Sequence, residues 1–129
     1  MGNATQKIGG PLLNGDVPPG MSYDGTTWTF PSIAFTGGMT VPYRIATDTT
    51  AALAADYAIV CNKGTAMSVT LPAVATVPGK VYCITNKGAG VVTIDPASSE
   101  AIGNGTTLGL NQWQSAIIMS DGAQWLILG

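Results

Sequence analysis

Apolar and polar residues alternate with a period of two through residues 56–129, whereas the preceding stretch shows no sustained period. Tyr57, Ile59 and Cys61 fall on one face of a strand; Met67, Val69 and Leu71 fall on one face of the next, with Ser68 and Thr70 turned away. Pro72 ends that strand, and Pro78-Gly79 opens the turn before an apolar run over residues 81–84. Val92 and Ile94 follow with Thr93 outward, Asp95-Pro96 closes the strand, and Leu108 and Leu110 make a short edge. The last two segments, residues 115–119 and 124–128, are apolar on both faces, the pattern of strands covered by a second sheet on one side and a subunit interface on the other. Strands spaced by about 8–12 residues with turn signals between them predict an all-β fold, a small antiparallel sandwich or barrel-like domain.

Residues 1–20 are dense in Gly and Pro, which resist both helix and sheet, and are expected to form an extended N-terminal arm. Ile8, Pro11, Leu12, Leu13 and Val17 make that arm too apolar for a free linker; it is expected to dock on a neighbouring subunit or a partner's surface, where an extended peptide can add a strand to a sheet edge, the alternative being a tail that packs on its own domain. Residues 21–55 read as a hairpin and adaptor segment, and residues 56–129 as the β-rich core. In SYDGTTWTF, residues 22–30, Asp24-Gly25 suits a type I′ turn between aromatic flanks, and the same D-G-x-x-W pattern returns at Asp121, Gly122 and Trp125. In TTAALAAD, residues 49–56, Thr49 or Thr50 is placed to cap a single alanine-rich helical turn, too short to stand alone.

Composition changes the picture in one respect. Charged residues make up only 9% of the 129, against about 25% in ordinary soluble domains, and mean hydropathy is +0.30. Too few charges remain to cover a monomer, so much of the surface is expected to lie against copies of the same chain or a partner. The net charge of −2 and five scattered basic residues argue against nucleic acid. The opening MGNATQKIGG lacks the apolar stretch of a signal peptide, and no run approaches the roughly 20 apolar residues that cross a bilayer, so neither secretion nor membrane association is expected.

Catalytic chemistry has little to work with. The chain has no histidine, which removes the commonest general base and metal ligand together, and it contains no G-x-S-x-G elbow. Asp95 and Glu100 are the nearest thing to a carboxylate pair, and Asp95 before Pro96 is an ordinary turn residue. The Gly-rich runs at residues 86–90 and 103–109 lack phosphate-loop spacing and read as hairpin loops. Cys61 and Cys83 lie in apolar runs as small buried hydrophobes, or as a disulfide should their strands be neighbours. No enzyme activity, cofactor or metal is expected. Trp113, flanked by Asn111, Gln112 and Gln114, is the aromatic residue best placed for exposure, as an interface or glycan contact.

The VTLP of residues 69–72, the GKVYCITNKG of 79–88, the VTIDP of 92–96 and the SDGAQW of 120–125 together resemble a module of tailed-bacteriophage virion proteins, found in tail fibres, tail spikes, head fibres and decoration proteins. The resemblance spans about half the chain and implies a non-enzymatic virion structural protein, made in the bacterial host cytoplasm and located on the capsid surface. The shortness of the chain and its low charge favour a capsid decoration, or cement, protein that binds the phage major capsid protein as a homotrimer. The alternative is a tail-fibre, spike or head-fibre component that binds a host receptor or glycan.

Overall fold

The structure, a computed structural model, describes residues 22–29 and 36–129. The arm expected over residues 1–20, with Ile8, Pro11, Leu12, Leu13 and Val17, lies outside the described residues. The chain divides into two compact units between Met39 and Thr40.

In the first unit, β1 (Ser22–Tyr23) pairs antiparallel with β2 (Trp28–Thr29), as the Asp-Gly signal predicts. The turn itself differs from expectation. A type I′ turn needs positive φ at two residues, and only Gly25 has it, at +96°. The loop instead runs over four residues, closed by Asp24 N–H donating to Thr27 O (3.2 Å), while Asp24 Oδ1 accepts from Thr26 N–H and Thr27 N–H. The carboxylate replaces the second left-handed residue by tying down the loop's own amides.

The second unit is a sandwich of two sheets. The large sheet has the order β11-β10-β7-β5-β3, and the small sheet β4-β6-β8-β9. The members of the large sheet are β3 (Tyr43–Ala46), β5 (Ala58–Cys61), β7 (Val81–Asn86), β10 (Ser115–Ser120) and β11 (Trp125–Ile127). Those of the small sheet are β4 (Thr50–Ala51), β6 (Met67–Thr70), β8 (Val92–Asp95) and β9 (Leu108–Leu110). The all-β sandwich read from the alternation is the observed fold, but its pairing is mixed. Strands β3, β5 and β7 run parallel, as do β4, β6 and β8, while β8 with β9, β7 with β10 and β10 with β11 are antiparallel. From β3 to β8 the chain switches sheet at every step, so it winds as a short coil and closes with antiparallel strands.

This winding draws in residues that periodicity assigned elsewhere. Both β3 and β4 belong to the sandwich, which therefore begins before residue 56. The helical turn expected near Thr49 and Thr50 is absent: Thr50–Ala51 is a strand paired with Val69–Thr70. A single turn carries one hydrogen bond against several fixed dihedrals, whereas a waiting parallel edge supplies ladder bonds such as Ala52 N–H to Thr70 O (2.8 Å).

Between the sheets lie Ile59, Cys61, Met67, Val69, Leu71, Tyr82, Ile84, Val92, Ile94, Ala116, Ile118 and Trp125, all buried. Inner and outer positions alternate as read for β5, β6 and β8, and in β7 the structure turns Tyr82, Ile84 and Asn86 inward. Trp125 and Tyr82 meet with ring centroids 5.9 Å apart and tilted by 40°, and Tyr82 donates its hydroxyl to Leu53 O (3.1 Å). Full burial of such side chains contributes about 1.5–3 kcal/mol each. Buried Ser120 donates to Val74 O (2.8 Å), so its hydroxyl does not offset that gain.

The edge where the coil starts is closed by an ion pair. Arg44 on β3 donates through Nε and Nη2 to Asp56 (2.9–3.0 Å), through Nη1 to Thr50 Oγ1 (3.1 Å), and through Nη2 to Ala51 O (2.7 Å). It thus ties the edge strand of one sheet to that of the other. A charge held across the open layer also discourages a foreign strand from adding there. The Arg44 hydrogen bonds hold the Asp56 carboxyl below the usual carboxylate range, and the Leu53 amide N–H adds to the effect.

Candidate interaction surfaces

The outer face of the large sheet is the most distinctive surface of the second unit. Strand register lines up Ile117, Cys83, Ala58 and Tyr43 across four strands, flanked by Met119 beside Val81 on one side and by the row Ser115, Thr85, Val60 and Ile45 on the other. None of these side chains is charged. Tyr43 is 70% exposed, Ile45 56% and Ile117 38%, while Cys83, Ala58 and Val60 at the centre are half-buried. This is the apolar second face read from residues 115–119, now seen to continue over β7, β5 and β3.

The small sheet presents the opposite chemistry. Its outward positions are Ala51, Thr70 and Asp95 in one row and Ser68, Thr93 and Gly109 in the next. Parallel stacking sets Ser68 beside Thr93 and Thr70 beside Asp95, side chains at ease in water that pair with their cross-strand neighbours.

One end of the sandwich carries stacked turns. Residues 62–66 join β5 to β6, and residues 87–91 join β7 to β8 directly alongside. The stack is too close for side chains: a Cβ on Gly88 would overlap the Lys63 backbone, and one on Gly90 the Thr65 carbonyl. The run at residues 86–90 is therefore a packing element that crosses from one sheet to the other, and not the hairpin loop expected from the sequence, because β7 and β8 do not pair. Asn86 locks the stack. Fully buried, it donates from Nδ2 to Gly90 O (2.8 Å) and Leu110 O (2.9 Å), leaving Oδ1 without a partner. Periodicity overlooks Asn86, although a signal exists in the sequence: Asn-Lys-Gly occurs at residues 62–64 and again at 86–88.

At the same end, Trp113 lies in the turn Asn111 to Gln114 and is 72% exposed, as its polar neighbours lead one to expect. The other sequence candidates fall apart from one another. Glu100 accepts Val74 N–H (3.0 Å), and Asp95 projects from the end of β8 on the hydroxyl face. Asp121 repeats the turn chemistry of Asp24: its Oδ1 accepts from Ala123 N–H and Gln124 N–H (2.8 Å each), with Gly122 at φ +91°. Those amides, Ala123 first, hold its carboxyl below the usual range. Among the described residues no group of three His, Cys, Asp or Glu is placed to hold a metal.

Cys61 and Cys83 sit on neighbouring strands but do not form a disulfide. Cys61 pairs in register with Asn86 and Cys83 with Ala58, and they point to opposite sides of the sheet, Cys61 into the core and Cys83 onto the apolar face. Burial pushes the Cys61 thiol up, as expected of an inert core side chain. No family model matches the chain, and no curated protein or solved structure is significantly similar to it.

Proposed function

We propose that this chain is a non-enzymatic structural protein of a phage virion, a capsid decoration protein that assembles as a homotrimer through the outer face of its large sheet. The observation that carries the reading is that uncharged face, broad and mostly apolar on one side of a sandwich whose other side presents Ser68, Thr70, Thr93 and Asp95 among small residues. An apolar patch of this kind on a chain with 9% charged residues calls for a protein cover, and a second copy supplies one without any charge to match. The resemblance of residues 69–125 to phage virion modules supports the setting.

The mechanism is mechanical. A trimer that binds only the assembled shell adds its binding free energy to the shell's stability against pressure from within. Three arms engaging together, through Ile8, Leu12, Leu13 and Val17, raise avidity without strengthening any single contact. Quantitative mass spectrometry of purified virions tests this: decoration requires a copy number comparable to that of the major shell protein. A handful of copies per particle points to a tail or vertex component instead, and absence from the virion removes the reading. A chain lacking residues 1–19 is expected to stay trimeric yet lose attachment to shells.

A further inference from the structure

The turn from Asn111 to Gln114, between β9 and β10, is closed by Gln114 N–H donating to Asn111 O (3.0 Å). At its third position Trp113 has φ +67°, a left-handed conformation that turns ordinarily give to Gly or Asn. An indole so placed is 72% exposed and takes no part in the core. The surroundings hold it there. Trp113 N–H donates to Asn86 O (2.6 Å), Asn86 N–H to Gln114 O (2.9 Å), Asn111 N–H to Gln114 Oε1 (2.8 Å), and Gln112 Nε2 to Lys87 O (3.2 Å). Asn86 is itself clamped to Gly90 and Leu110 in the interior. Backbone strain persists only where neighbours over-determine it, and it concentrates at places that bind.

The bracing side chains have a second property. Gln112 is engaged through its nitrogen and Gln114 through its oxygen, so each keeps the other end of its amide without a partner among the described residues. The side chain of Asn111 adds a further exposed amide, and none of the three is charged. A pocket-filling protein anchor would sit in an apolar collar, whereas this ring stands among donors and acceptors fixed at the surface.

We propose that Trp113, with the free amide ends of Asn111, Gln112 and Gln114, forms a saccharide-binding platform. The indole stacks on the C–H face of a neutral hexose ring, and the amides exchange hydrogen bonds with its hydroxyls. The site does not depend on the shell-binding reading, because it lies on a turn and leaves the apolar sheet face untouched.

The test uses the full chain and Trp113→Asn, chosen because Asn accepts the left-handed backbone and so preserves the turn. Both are applied to an array of neutral gluco-, galacto- and manno-oligosaccharides, and any hit is titrated calorimetrically and by fluorescence. The platform requires that the wild type bind at least one oligosaccharide. Trp113→Asn should weaken that binding by at least roughly tenfold while melting at the same temperature or higher. Wild type that retains no oligosaccharide overturns the proposal, as does a Trp113→Asn variant that binds equally well. Should the variant instead lose attachment to virions while the wild type ignores saccharides, Trp113 is a protein anchor and the platform is rejected.

Discussion

Tyr43, Ile45, Val81, Ile117 and Met119 project from the large sheet, whereas Ser68, Thr70, Thr93 and Asp95 project from the small one, and both sheets turn equally apolar side chains inward. The core requires most inner residues of either sheet to be apolar, since only close-packed apolar side chains fill the space between layers. No such demand acts on the outward positions. Their composition is therefore free to follow what each face meets outside the chain: water suits the hydroxyl rows, and under the proposed function the apolar rows meet a second copy of the chain.

The sharpest way to break this contrast is to put the same charge on each face. Ile117→Lys should convert the proposed homotrimer to monomers in light scattering, because an unpaired ammonium buried in an interface costs several kcal/mol. Thr93→Lys should leave the oligomer intact. Thiol labelling sharpens the result, since Cys83 at the centre of the apolar face should be protected in the assembled protein and react freely in Ile117→Lys. Equal behaviour of the two lysine variants would remove the distinction between the faces.

A smaller effect tests how each sheet is held. Gly90→Ala forces a Cβ against the Thr65 carbonyl within the stacked turns that lead into β6 and β8. It should cost about 3 kcal/mol in denaturant unfolding, since backbone must shift to relieve the overlap. Hydrogen exchange should rise first in the small sheet and only later in the antiparallel pair β10 and β11.

The smallest effect concerns the ion pair that joins the two edges. Asp56 is held below the unfolded carboxyl value of about 3.9 by its hydrogen bonds from Arg44. Its stabilising contribution is thus complete above that value and is lost as pH falls through the lower, folded one. Asp24, Asp48 and Asp121 are shifted the same way and add to the acid slope, Asp48 chiefly through its hydrogen bond from Lys63. Melting temperature should fall between about pH 5 and pH 2, and Asp56→Asn should start lower at neutral pH and fall less steeply. An unchanged slope in Asp56→Asn would mean that the pair contributes nothing to joining the sheets.

Much of this was legible in the residues. The two D-G-x-x-W hairpins form where expected and share one geometry, because an aspartate that bonds its own loop amides acts locally. The inward positions of β5, β6 and β8 follow from alternation alone, whereas the run Val81, Tyr82, Cys83, Ile84 is apolar throughout and leaves the inward face of β7 to the fold. The exposure of Trp113 follows from its polar neighbours, although its left-handed backbone does not, since that is imposed by Asn86 from a distant strand. Parallel pairing was hidden for a similar reason. The two Asn-Lys-Gly triplets are 24 residues apart, whereas β5 and β7 pair with an offset of 25, Cys61 opposite Asn86. That single residue leaves Asn62 exposed and Asn86 buried, although both head the same triplet.

What the chain determined by itself is therefore local: where strands run, which side of each is apolar, and where turns break them, all set by neighbours a few residues away. Which strand lies beside which was decided only in the tertiary structure. So were the register that buries Asn86, the closure of both edges by Arg44 and the merging of separate apolar stripes into one continuous face. Each depends on residues far apart in sequence, whose contact gains free energy only once the loops between them have closed.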